Sequence, residues 1–444
     1  MNLKVIIAKV FEKLFVHPSG ALKEIVFSEK DHFPHRQFPV EWWYFTGFLS
    51  ENPLKGNISN SSGNMDNKLI DEYSFSLRQY EYAFEVTFFR AKRPFEGHML
   101  HIALYKLNKA EKGGQFLYGE KVSLCTIGER KLTGGEKVIC VKDSYLAFNK
   151  SKNAFTCDVS VPAKTNTRSG DKRALHLKLE MSLHSMMLQG KNGLMPMVHG
   201  EGGASYYFTY PDVSVKGTVS DGENVSNVEG TAWHDHQFGD FTVFDSAWDW
   251  FSLRFEKQKI YVMVFGFRKI PVFHFGGNIL RKKSAFYGNG KTMPRGESAP
   301  HSKNTPHEEN TPHEGNTLHF RTTAKKRHIK NEYITMGNIF KDGKSIMLDD
   351  VRITAEKSFT LSSGVEYPLV FRISVLKNGV EVMRFRTEPL IKDCEFRSEF
   401  APHYWEGPCA VSGEILVPFE QGGVHFTREV LNGSAFVELV GYAR

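Results

Sequence analysis

Residues able to move protons and residues able to shelter a cation crowd into one short stretch of this chain. Between positions 233 and 250 lie two histidines, four aspartates and three of the sequence's six tryptophans. The stretch reads Thr231-Ala-Trp-His-Asp-His-Gln-Phe-Gly239 and then Ala247-Trp-Asp-Trp-Phe251. In extended backbone, side chains alternate between faces. His234 and His236 therefore point one way and Trp233 and Asp235 the other, while Trp248 and Trp250 share a face opposite Asp249. Proton donors held among large aromatic walls suit chemistry on an apolar substrate that is protonated and passes through a cation.

Hydration of a trisubstituted alkene is such a reaction. An acid protonates the less substituted carbon, and water steered by a base captures the tertiary cation. A carboxyl in apolar surroundings has its pKa raised and can serve as the acid near neutrality, and aromatic faces stabilise the cation. Asp249, flanked on both sides by indoles, is the first candidate acid and Asp235 the second. His236 or His234 could hold the water or hydrogen-bond the acid. Glu41-Trp-Trp-Tyr-Phe-Thr-Gly47 brings a further carboxyl, with Trp42, Trp43 and Tyr44, at the start of the first convincing strand. Trp233, His234, Phe238, Trp248, Trp250, Tyr404 and Trp405 complete the candidate substrate walls. His234 and His236 on one strand face are also a recognised metal geometry, but His199 and His274 stand at no motif spacing from them. Acid–base use is therefore preferred, and no metal is expected.

These segments carry a family resemblance. EWWYFTG, the AWHDHQFGDF and WDWFSL pair, and the late YWEG, VSG and VELVGY elements resemble the hydroxyneurosporene synthase family, the carotenoid 1,2-hydratases and their lipocalin-like relatives. The elements run in the family's order from about residue 31 to the C-terminus. The resemblance implies two lipocalin-like halves with the site near their junction, and a cofactor-independent hydro-lyase acting on an isoprenoid. Phe238 stands where some relatives carry tryptophan, so an aromatic is retained but an indole N–H is not.

Composition narrows the alternatives. The chain has 444 residues, 41% hydrophobic and 24% charged, with aromatics at 13% including 36 phenylalanines. That length favours two domains, and the aromatic excess favours sheets. The net charge of +7 and pI of about 8.9 are spread along the chain. With no zinc-finger spacing or RNA-binding aromatic signature, nucleic acid is disfavoured, and an anionic membrane surface is the better partner for the charge. Five widely spaced cysteines without a C-x-x-C pair read as reduced thiols. No nucleotide fingerprint or G-x-S-x-G elbow stands beside a suitable strand and helix, so no cofactor is expected.

Along the chain, residues 1–20 read as an amphipathic helix, with Leu3, Ile6, Ile7, Val10, Phe11, Leu14 and Phe15 on one face. Such a helix lies in a membrane interface or docks on a barrel. No stretch approaches the roughly 20 apolar residues of a membrane span, nor does the N-terminus show a secretory h-region; the expectation is a cytoplasmic protein, peripheral on the membrane face. From residue 38 strands dominate, as in Leu175-His-Leu-Lys-Leu-Glu-Met-Ser-Leu183 and in the alternation of Tyr80, Tyr82, Phe84, Val86 and Phe88 against Glu81, Glu85 and Thr87. The expected fold is mostly β: two lipocalin-like antiparallel barrels or sandwiches with few helices, at 21–240 and 241–444. Residues 51–68 read as a polar loop. Residues 296–325 read as a disordered insertion whose hexads set His301, His307, His313 and His319 six apart.

The leading functional expectation is a hydratase converting a polyprenyl C=C, of a carotenoid end group or of a geranylgeranyl chain in an ether-type lipid, to a tertiary alcohol. A non-catalytic lipocalin-like isoprenoid carrier and an isomerase or pericyclase on the same scaffold are the alternatives.

Overall fold

The computed structural model describes residues 26–51, 79–92, 96–108, 113–124, 135–166, 173–197, 203–241, 247–268, 333–348, 350–420 and 424–443. The N-terminal helix expected at 1–20, residues 52–68 of the polar loop, His199, His274 and the 296–325 insertion all lie outside these residues. The described residues belong to one compact unit drawn from 1–270 and 331–444.

Strands dominate, and the only helical turns among the described residues are three short 3-10 segments. The alternating sequence Ala174–Leu183 is a strand whose odd-numbered residues Leu175 to Leu183 are buried. The mostly-β, antiparallel expectation holds. In the first sheet the strand Val40–Ser50 lies between Val225–Phe241 and Tyr82–Ala91, and beyond the latter come Gly97–Leu107 and Gly114–Leu124. On the other side Gly203–Ser220 and Ala174–Leu183 lead to Ala154–Pro162, which approaches Gly114–Leu124, so the sheet curls back towards itself. After Phe241 the chain passes to a second sheet. There Ala247–Phe255 lies between Ile260–Arg268 and Val424–Val440, and Tyr404–Glu420 follows.

Two apolar cores result. Trp43, Phe45, Phe84, Val86, Phe88 and Leu177 fill the concave side of the first sheet. Tyr44, Phe48, Tyr105 and Trp233 from its other side form one cluster with Trp250, Phe251 and Phe436 of the second sheet. Both faces of the central strands are thus covered, as sheet-on-sheet packing requires. In Val40–Ser50 every residue but Trp42 is buried.

Close approach makes Gly47 obligatory. A Cβ there would come within 2.5 Å of the Thr231 carbonyl oxygen and 2.6 Å of Phe84 Cε1. Gly47→Ala should therefore lower stability by about 1–3 kcal/mol, read as a fall in the urea midpoint; an unchanged midpoint would show that the strands can part at no cost.

Candidate active site

Register builds the site as two facing ladders. In the first sheet one continuous row of directly paired residues runs Thr209, Asp235, Tyr44, Thr87, His101, Glu120. In the second sheet Trp250 pairs with Glu438, and Glu438 with Glu406. Between the sheets lies a cavity of about 140 Å³. Trp42, Phe89, Trp248, Trp250, Phe265 and Phe400 give it aromatic walls, and Glu85, Asp235, Glu406 and Glu438 bring four carboxyls to it.

Directly opposed carboxyls repel when both are ionised, and burial adds to the penalty. Burial lifts Glu438 to about 8, against one hydrogen bond from Trp248 Nε1 (3.1 Å) and with Glu85 and Asp235 nearby. Burial, then the charges of Glu85 and Glu438, raise Glu406 well above the usual carboxylate range; Tyr44 donates to it at 2.5 Å. Glu85 is raised to about 7 by burial, although it accepts hydrogen bonds from Thr87 at 2.7 Å and Tyr404 at 3.3 Å. Glu85 and Glu406 also interact side chain to side chain, which favours the proton on Glu406. Burial takes Asp235 to about 7 too, yet it accepts three hydrogen bonds: Thr209 (2.5 Å), Tyr207 (2.5 Å) and Trp233 Nε1 (2.8 Å). Those three bonds pull it down against burial, which still leaves it at about 7. The cavity therefore gathers carboxyls raised to or above the neutral range.

The alternation read from the sequence decides which expected residues arrive here. Trp42, Tyr44, Asp235, Trp248, Trp250 and Tyr404 line the cavity, and Trp233 supports Asp235 from beneath. Glu41, Trp43, His234, His236 and Phe238 share the concave side of the first sheet. There Trp43 donates to the His32 carbonyl (3.0 Å), His234 stacks on Phe45 at 4.0 Å, and His35 stacks on Phe238 at 3.5 Å. Asp249 projects away from Trp248 and Trp250 and is bound by Arg268 Nε and by the Tyr442 hydroxyl, each at 3.1 Å. Trp405 is buried in the second sheet and donates to the Lys392 carbonyl at 2.7 Å. The geometry thus unites the three segments but leaves Glu41, His236 and Asp249 out of the cavity. Glu85, Glu406 and Glu438 were not singled out as candidates, although YWEG and VELVGY contain two of them.

Glu41 occupies a contrasting environment. His236 Nε2 (3.0 Å), His35 Nδ1 (2.8 Å) and Arg90 Nε (3.0 Å) all contact it. Burial alone would raise its pKa, but hydrogen bonds from His236 and His35 and the charge of Arg90 hold it at about 2. His35, Glu41 and His236 place possible metal-ligand atoms within 4.8 Å of one another. The Arg90 cation on the same carboxylate opposes a divalent ion, and a buried ion-pair network accounts for the contacts. Cys140, Cys157, Cys394 and Cys409 are buried.

An acid whose pKa is higher folded than unfolded favours folding while protonated and penalises it once ionised. For Glu438 that window runs from 4.5 to about 8. Stability should fall as pH rises through it, and Glu438→Gln should flatten part of the fall. Urea midpoints at several pH values test this; equal slopes in wild type and variant would contradict it. Glu41 acts in a separate window, losing its contribution as pH drops from 4.5 towards 2.

Comparison with known proteins agrees with this architecture. No curated protein matches the chain. A crystal structure of a protein designated AttH from Nitrosomonas europaea has a TM-score of 0.60 at 18% identity, covering 96% of this chain and 100% of that one. Kievitone hydratase from Nectria haematococca has a TM-score of 0.54 at 13% identity, covering 96% and 97%. At those identities the likeness is one of fold. Residues 76–286, which include the Glu85 strand, the HDH strand and the tryptophan pair, match the model of the AttH-like family.

Proposed function

We propose that the protein is a hydratase that adds water across a trisubstituted C=C at the end of an isoprenoid chain, giving a tertiary alcohol. The observation that carries this reading is the group of four buried carboxyls inside an aromatic cavity, two of them, Glu406 and Glu438, raised above neutrality by burial and by the charge of neighbouring carboxyls. Kievitone hydratase, which shares the fold, is by its name a water-adding enzyme. The cavity's 140 Å³ is close to the roughly 150 Å³ that accommodates benzene in an engineered protein core, so it suits one terminal isoprene unit rather than a whole polyprenyl chain. Carotenoid end groups and geranylgeranyl ether lipids both end in such a unit.

In this mechanism Glu438 is the acid. Raised to about 8, it is mostly protonated at pH 7, and among the described residues Trp248 donates to it. Its proton goes to the less substituted alkene carbon. The positive charge on the tertiary carbon is stabilised by the faces of Trp248 and Trp250. Asp235, fixed by Tyr207, Thr209 and Trp233, takes the proton of the attacking water. Glu406 and Glu85 hold one further proton between them and keep the local charge low.

Incubation with polyprenyl substrates in heavy-oxygen water, read by mass spectrometry, tests the reading. A labelled tertiary alcohol is expected; an unlabelled isomer, or intact bound lipid without product, would replace the hydratase with an isomerase or a carrier. Glu438→Gln should cut turnover by about 10²–10⁴-fold. Asp249→Asn, altering a group outside the cavity, should spare turnover while lowering thermal stability. Should Asp249→Asn abolish turnover in a folded protein, the assignment of the acid to Glu438 fails.

We also place the protein on the cytoplasmic membrane face, where an isoprenoid substrate resides. The supports are the amphipathic sequence of residues 2–16 and the +7 charge. No helix among the described residues is long and apolar enough to cross a membrane. Deleting residues 2–16 should weaken binding to anionic vesicles; unchanged binding by the folded variant would assign that segment to packing instead.

A further inference from the structure

The cavity carboxyls are buried, yet a chain of polar groups leads outward from one of them. Tyr404 Oη donates to Glu85 Oε1 at 3.3 Å, and His101 Nδ1 lies 3.0 Å from the same phenol oxygen. A phenol has a single proton. With that proton committed to Glu85, His101 must present Nδ1–H to Tyr404, which leaves Nε2 as a bare lone pair. That atom is buried, has no hydrogen-bond partner, and faces Glu120 Oε2 at 3.6 Å. Two acceptors facing each other across that distance form a slot for one proton.

The outer end is firmly held. Glu120 Oε2 accepts from Ser398 Oγ (2.5 Å), and Oε1 from Glu399 N (2.7 Å) and Lys164 Nζ (3.3 Å). Lys164 and Glu399 are 36% and 43% exposed, so the chain of contacts ends at solvent. Phe396 stacks on His101 at 4.4 Å and on Tyr404 at 5.2 Å, aligning both rings. Burial drives the His101 pKa down to about 4, with Glu120 opposing the shift. The ring is therefore a neutral carrier that does not store a proton.

We infer that His101 is a positioning residue which, through Tyr404, passes protons between solvent at Glu120 and the buried Glu85 carboxyl. One proton from the Glu120 side binds Nε2. The Nδ1–H bond then breaks as that proton moves to the phenol oxygen, and the phenol's own proton passes to Glu85 Oε1. One proton enters and one arrives. The imidazole ends in the opposite tautomer, and turning of the ring, which brings the newly bound proton round to Tyr404, resets it so that the next passage delivers a new proton. This inference rests on reading the cavity as an acid–base site, but its test does not require turnover.

The test is the rate at which the buried carboxylic acid exchanges hydrogen for deuterium. The full chain is moved into heavy water below pH 7, and the infrared carboxyl C=O band that Glu85→Gln removes is followed. His101→Asn keeps a donor to Tyr404 yet cannot transmit a proton. It should slow exchange by about tenfold or more, leaving only exchange through local opening, and Tyr404→Phe should do the same. Wild-type exchange in both folded variants would overturn the relay, since a merely structural histidine is replaced by asparagine without effect on this rate. If one variant does not fold, the other decides. Absence of hydratase turnover would leave the exchange result standing, whereas fast exchange in an active His101→Asn enzyme would remove the relay alone.

Discussion

The pairing of Glu406 with Glu438, directly across two strands of the second sheet and facing Glu85 and Asp235 of the first, is the constraint on which the site depends. Four carboxyls gathered between two sheets cannot all be ionised, because each additional charge is both desolvated and repelled. The sheets can close over them only if some remain protonated. Sheet packing therefore does more than bring residues together: it turns ordinary glutamates into acids that carry a proton at neutral pH. Tyr44 donates to Glu406, Trp248 to Glu438, and Thr87 and Tyr404 to Glu85, so the three glutamates have few partners from the surrounding strands.

Much of this was legible in strand periodicity, and the reason it stopped short is physical. Alternation placed His234 and His236 opposite Asp235, and Asp249 opposite its flanking tryptophans, and the strands obey both statements. It could not say which face of each strand meets the cavity. Asp249 sits between two indoles in sequence, but those indoles point away from it, and its own face carries Arg268 and Tyr442. Asp249 is buried, but what surrounds its carboxyl are Arg268 and Tyr442, partners that its flanking sequence does not reveal.

Glu85 shows the converse. In a strand where Tyr82, Phe84, Val86 and Phe88 form an apolar face, Glu85 and Thr87 read as the solvated face of a one-sided sheet. They become buried only because a second sheet, formed by residues 247 onward, covers that face. No local pattern reports a partner that lies more than three hundred residues away, as Tyr404 and Glu406 do. The aromatic excess and the YWEG and VELVGY segments were the available signals, and they marked the right strands without assigning a role to their carboxyls.

The two faces of Val40–Ser50 also separate structure from chemistry. Glu41 and the carboxyls beyond Tyr44 are equally buried, yet burial alone predicts neither state. Glu41 has Arg90, two histidines and the His35 backbone N–H, so its charge is balanced and it stays ionised. Glu438 has one neutral indole donor and stands beside Glu406, Glu85 and Asp235, so its proton is favoured. A carboxylate fixed by a guanidinium has no proton to give and would hold the strands in register at any physiological pH. An acid kept neutral by exclusion of water, by contrast, still carries a proton, so the side of the strand facing the second sheet holds carboxyls that differ in state from the carboxylate on the histidine side.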